Sequence, residues 1–192
     1  MEYYIRTDTS NDLVSTLELA LEFLVKASTD DRYWKWVVYA FHSAVQSTAA
    51  LALEGGNGFL VQKPDTMRRM LAAPASPSGP VEPHMDNFGR LINKTITQAN
   101  LYPGAIALQD SDLVRVLESL DELRDEFVHF NVKSWSIERA HLFRCLIGAL
   151  EYIHHYICVT PAFLWHEDAI QLRARSATLN LRDRLGQLYG IE

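Results

Sequence analysis

Arg124, Asp125 and His129 lie within one short span, Arg-Asp-Glu-Phe-Val-His, and combine a permanent cation, a carboxylate and an imidazole that titrates near neutral pH. On a helix, Asp125 and His129 are one turn apart on a shared flank, close enough for the carboxylate to hydrogen-bond the ring and to orient or charge it. Such a set supports acid–base chemistry beside a fixed positive charge, at the edge of a cleft. Arg124 falls within the apolar stripe of Leu113, Leu117, Leu120 and Phe127. A guanidinium cannot shed its proton, so there it has to meet a carboxylate, water in a cleft or a neighbouring subunit. The plain alternative is structural: Arg124 pairs with an internal acid such as Glu138 or Glu151, and His129 ends the helix near its negative pole.

Other polar residues bear on the same cleft. His42 and Gln46, one turn apart, either line it or form a buried polar pair that sets helix register. His154 continues the stripe of Phe143, Ile147 and Leu150, either as a hydrogen-bonded core histidine or as a cleft-lining one. Its neighbour His155 points about 100° away, so the two do not chelate one metal, and neither a metal nor a cofactor is expected. Gly55-Gly56-Asn57-Gly58 lacks the preceding strand and the Gly-Lys-Ser/Thr signature of a phosphate loop and reads as a helix stop. Trp34 and Trp36 read as core or dimer interface, with base stacking as the alternative. Arg173, Arg175, Arg182 and Arg184 are diluted by Glu167, Asp168 and Asp183 and read as a solvated face.

The elements that must hold these residues are helices. Leu13, Leu17, Leu21 and Leu24 predict an amphipathic helix over about Asn11 to Lys26, with Asn11 or Asp12 as its cap. Tyr33 to Leu53 is apolar nearly all round and predicts the central helix. Lys63-Pro64 to Arg69 can open a short helix. Pro74, Pro77, Pro80 and Pro83 predict an exposed, mobile loop over about 72–85. Further helices are expected from Asp86 to Ala99, from a cap at Asp110 or Ser111 to about Phe130, from Ser134 or Ser136 until Pro161 interrupts, and from Glu167 to Leu188. No alternating strand pattern is found. The class is therefore all-α, a bundle of about five or six helices.

At 192 residues with 48% apolar and 22% charged side chains, the expectation is one domain with a packed core. The net charge of −6 argues against a broad nucleic-acid-binding surface, while a local pocket with a few placed cations remains open. No apolar run is long enough to span a membrane, and the acidic Met1-Glu2 start lacks a signal-peptide plan, so a cytoplasmic protein is expected. Cys145 and Cys158 fall in an apolar stretch as small hydrophobes rather than as disulfide or zinc ligands.

The stretch Leu120-Asp-Glu-Leu-Arg124-Asp-Glu-Phe-Val-His129-Phe130 resembles the Arg-x4-His motif of the HEPN superfamily, with a polar residue directly after the Arg. Trp135-Ser136-Ile137-Glu138 and Phe41-His-Ser-Ala-Val-Gln46 are similar to these proteins as well. The resemblance implies a HEPN-like helical bundle that dimerises so that two motifs meet in one cleft. It implies either a metal-independent endoribonuclease of toxin, phage-defence or RNA-processing systems, or a non-catalytic module that binds RNA, a nucleotide or a partner protein. RNA, tRNA included, a second copy of the chain, and an antitoxin or operon-encoded protein are the partners it implies. His129 would then be the general base on a 2′-hydroxyl, Arg124 would bind the scissile phosphate, and Asp125 would orient one of them. The products would be a 2′,3′-cyclic phosphate and a 5′-hydroxyl. Asp at 125 departs from the commoner Asn and adds negative charge beside the phosphate.

Overall fold

Helix-period apolar stripes become helices wherever a cap and a stop frame them. The computed structural model describes residues 4, 7–72, 80–129 and 135–190, and among these it contains seven α-helices and no strand. The first, α1 (Thr9–Ala27), buries Leu13, Leu17, Ala20 and Leu24, and its cap is Asp8, whose carboxylate accepts from the Asn11 amide, rather than Asn11 or Asp12. Then come α2 (Trp34–Glu54), α3 (Pro64–Ala72), α4 (Phe88–Thr95), α5 (Ser111–Val128), α6 (Arg139–His154) and α7 (Asp168–Tyr189). The count exceeds the expected five or six because the Pro64 segment is a helix of its own.

The central position of α2 follows from its composition. Its buried residues go round the whole helix, and it packs against α1, α4, α5 and α6, while α7 covers α1 and α6. The buried side chains of the bundle form one contiguous core. Gly55, at φ 51°, stops α2 in the left-handed conformation that glycine adopts without penalty. Of the Pro-rich segment, residues 73–79 lie outside the described residues. Residues 80–84 have no regular structure and are mostly exposed, and Met85 after them is bridged to Gln62. Beside that bridge, buried Asp86 pairs with Lys94 Nζ at 2.8 Å, and the same ammonium donates to the Leu60 and Gln62 carbonyls, tying the turn after α2 to α4.

The helix that carries the Arg-x4-His span is framed as expected. Asp110 caps α5 by accepting from the Asp112 and Leu113 amides, and Leu113, Leu117, Leu120 and Leu123 are buried. Its approach to α6 is set at Gly148, where an added Cβ would lie 2.5 Å from Val116 Cγ1 and 3.1 Å from Leu113 Cδ1. The start of α6 differs from expectation. Residues 135–138 are not helical, and the helix opens after Glu138 rather than after Ser136; Ser134 lies outside the described residues. Before Pro161, α6 loosens into a π-helical turn, His155–Val159.

Candidate functional site

Arg124 lies where α5 packs on α2. Its side chain is 29% exposed, and Nη2 donates to Asp121 Oδ1 at 2.8 Å, one turn back on the same helix. Nη1 pairs with Asp125 Oδ1 at 2.6 Å. The internal acids proposed from spacing are elsewhere: Glu138 and Glu151 line an open groove of about 560 Å³ beside the N-terminal half of α5, with Asp110, Asp112 and Arg144. The two terminal nitrogens of the guanidinium are thus held by carboxylates of its own helix, at positions −3 and +1.

From α2, His42 reaches the same point. It is buried, its Nε2 is 2.8 Å from Asp121 Oδ1, and its ring stacks on Phe88 of α4 with centroids 4.2 Å apart. Asp121 Oδ1 therefore accepts from two donors, the imidazole and the guanidinium. With its hydrogen on Nε2, His42 cannot also accept from Arg124, so the 3.4 Å separation of Nε2 and Arg124 Nη2 is a close approach of two donors held by one carboxylate. Burial pushes the His42 pKa down; the bond to Asp121 pulls it up, and the charge of Arg124 pushes it down again, for a net lowering. The ring is neutral at pH 7. Arg124 Nε is enclosed and has no hydrogen-bond partner among the described residues.

The remaining expected residues are distributed unevenly. Asp125 is 52% exposed and spends its carboxylate on Arg124. Its link to His129 is through the backbone, the His129 N–H donating to the Asp125 carbonyl at 2.8 Å where His129 caps the C-terminus of α5. The His129 ring is exposed at that end and makes no side-chain hydrogen bond or ion pair with another described residue. Gln46 is half-buried, one turn beyond His42, with its amide 3.9 Å from Met85 Sδ. His154 is not part of the cluster. It is half-buried at the end of α6, where burial and then the nearby charges of Arg182 and His155 lower its pKa.

Two members of the site were not singled out in the sequence. Asp121 has a local signal, its three-residue spacing from Arg124 on a helix. Phe88 has none, because its stacking on His42 depends on how α4 meets α2. Among the described residues no group of three or more His, Cys, Asp or Glu is placed to hold a metal ion. Both cysteines are free, and burial pushes the Cys145 thiol up to about 11, leaving it inert as a nucleophile at neutral pH. No helix is long and apolar enough to cross a membrane among the described residues. Set beside known proteins, the chain matches no family model, no curated protein and no solved structure, so its chemistry rests on the arrangement of Arg124, Asp121, His42, Asp125 and His129.

Proposed function

We propose that this chain is a metal-independent endoribonuclease of the HEPN type, cytoplasmic and acting in a toxin or defence setting, and that two copies form the cleaving cleft. The observation that carries the reading is the placement of Arg124: a partly exposed guanidinium anchored by half-buried Asp121, which buried His42 also holds, with exposed His129 five residues further along the same helix end. Anchoring leaves the orientation of the cation fixed while its Nη1 side faces Asp125, the more exposed carboxylate.

An RNA phosphate displaces Asp125 from Nη1 and keeps Asp121 in place. His129 takes the proton of the 2′-hydroxyl, the 2′-oxygen attacks phosphorus as the P–O5′ bond breaks, the departing 5′-oxygen takes a proton from water, and Arg124 stabilises the charge on the non-bridging oxygens. The nucleophile is internal, so the step requires no metal-activated water.

A second reading has its own observation in support. With His42 neutral, one Arg and two Asp side chains sum to −1 at the cluster, and a guanidinium already holding two carboxylates is a weaker phosphate trap. On that reading the fold is a non-catalytic module binding RNA, a nucleotide or a partner protein such as an antitoxin. Incubation with total RNA and tRNA in EDTA separates the two, using wild type beside Arg124→Ala and His129→Ala proteins verified as folded. Cleavage by wild type alone, leaving 2′,3′-cyclic phosphate ends, is the expected result. Absence of cleavage, or equal cleavage by all three, removes the enzyme and leaves the binding module.

A further inference from the structure

The cluster is one end of a longer surface. Lys35, Tyr39, His42 and Gln46 succeed one another on α2 at steps of four, three and four and share a stripe of that helix. Against it α5 runs antiparallel: Tyr39 meets Phe127, with ring centroids 6.4 Å apart, and one turn along His42 meets Arg124. From Tyr39 the ring contacts extend outward in both directions. Trp36 stands edge-on to Tyr39 at 5.6 Å, and Phe127 is edge-on to Trp135 at 4.8 Å, beyond the end of α5. Trp36, which also meets Phe23 at 6.3 Å, is 47% exposed and is the most open of the row; Tyr39 is half-buried, and Phe127 and Trp135 are half-buried with one side against the core. Lys35 Nζ lies 5.6 Å from the Trp36 centroid and 5.4 Å from that of Tyr39, and no carboxylate pairs with it among the described residues.

This composition selects an occupant. Rings and Arg also mark protein–protein interfaces, so the rings alone do not choose; what chooses is an ammonium beside them with no carboxylate partner among the described residues, leading up to a second cation, Arg124, a spacing of positive charges that matches phosphates. Flat aromatic faces beside placed cations suit bases that are out of a duplex, because each base offers a π-face whatever its identity while the cations meet the phosphates. A continuous duplex keeps its base faces stacked and has none to offer. We propose that Trp36, Tyr39, Phe127 and Trp135, with Lys35, form a base-stacking subsite for the unpaired RNA strand that flanks the phosphate held by Arg124. The subsite rests on the ribonuclease reading for the identity of its ligand, and it narrows the substrate to single-stranded loops and ends. It also reconciles an acidic protein with an RNA ligand, since stacking supplies affinity that net charge does not.

The test uses the full chain and a probe that cannot be cleaved: a short 2′-O-methyl oligoadenylate, free or annealed to its complement. Tryptophan emission and the anisotropy of a labelled strand are followed at several salt concentrations. The expected result is quenching by the single strand, with affinity at least roughly tenfold above that for the duplex. Trp36→Ala lowers the affinity by roughly tenfold, as loss of one stacking partner does. Lys35→Ala, which leaves the rings in place, lowers affinity and flattens its salt dependence. Equal binding of strand and duplex, or unchanged affinity in both variants, overturns the proposal. So does sedimentation in which Trp36→Ala splits a dimer while strand affinity per protomer is unchanged, which assigns the row to a second copy of the chain. Because the probe lacks a free 2′-hydroxyl, the outcome is independent of cleavage. Strand binding without RNA cleavage in EDTA retains the subsite and removes the nuclease; cleavage without strand preference does the reverse.

Discussion

Arg124 holds two carboxylates, and their surroundings make them unequal. Asp121 is shared with His42, which is 6% exposed, whereas Asp125 is 52% exposed and serves Arg124 alone. Asp121→Ala leaves a buried imidazole N–H without an acceptor, a loss of about 1–3 kcal/mol, and removes the inner anchor of a partly buried guanidinium. Asp121 itself is 32% exposed, so water recovers part of this and the net destabilisation is about 2–3 kcal/mol rather than the 3–5 of a fully buried broken pair. Asp125→Ala removes a solvent-screened contact, for about 0–1 kcal/mol. For a chain of this size each kcal/mol moves the thermal midpoint by about 2–4 °C, so the first variant melts roughly 4–12 °C lower and the second no more than about 4 °C lower. Urea and thermal unfolding of both, with His42→Ala and the Asp121→Ala/His42→Ala double variant, give the cycle. A coupling of about 1 kcal/mol or more between His42 and Asp121 is expected. Equal losses for the two aspartates, a larger loss at Asp125, or strict additivity of His42 with Asp121 refutes the claim that Asp121 is the shared anchor.

Two further outcomes follow from packing and titration. Gly148→Ala places a methyl 2.5 Å from Val116 Cγ1; the overpacking costs about 1–3 kcal/mol, offset by about 1 kcal/mol of helix propensity. The urea midpoint should fall and recover in Gly148→Ala/Val116→Ala, and a midpoint that rises in the single variant contradicts the close approach. For pH, the folded pKa of His42 lies below its free value, so on acidification the unfolded chain takes up the proton first. The contribution is complete above about pH 6.5 and is lost as the pH falls from there through the folded pKa. His154 shifts in the same direction, whereas the lowered carboxylates of Asp8, Asp30 and Asp86 start from 3.8 and act at more acid pH. Unfolding midpoints measured between about pH 7 and 5 should therefore decline, and decline less steeply in His42→Asn; an unchanged slope in that variant assigns the sensitivity elsewhere.

What sequence could show is set by the range of each interaction. The α5 stripe is local, and its cap, narrowed to Asp110 or Ser111, its buried leucines and the place of Arg124 within the stripe are all read from spacing. The acids expected to pair with Arg124 are Glu138, which precedes α6, and Glu151 on it, yet the groups that hold it are Asp121 and Asp125 on its own helix, which cost no chain closure to bring near. Caps went astray where two acceptors were close in sequence: Asp8 stands one turn ahead of Asp12 and takes the amide of Asn11. The join of His42 to Arg124 spans 82 residues and depends on how α2 and α5 meet, which no local pattern encodes. His154 shares the stripe of Phe143 and Ile147, but that stripe says only which face is buried, and α6 carries it to Arg182 rather than to Arg124.

The antiparallel layering of α2 on α5, Tyr39 over Phe127 and His42 over Arg124, means that the site is written as a phase relation between two distant helices. Exchanging single residues edits one letter of it. Inserting or deleting one residue between Tyr39 and His42 would turn everything beyond by about 100° and separate the imidazole from the guanidinium without altering any residue of the Arg-x4-His span. A descendant that kept this span but lost the phase would carry the motif without the site. A relative that kept the phase with different letters would carry the site without the motif.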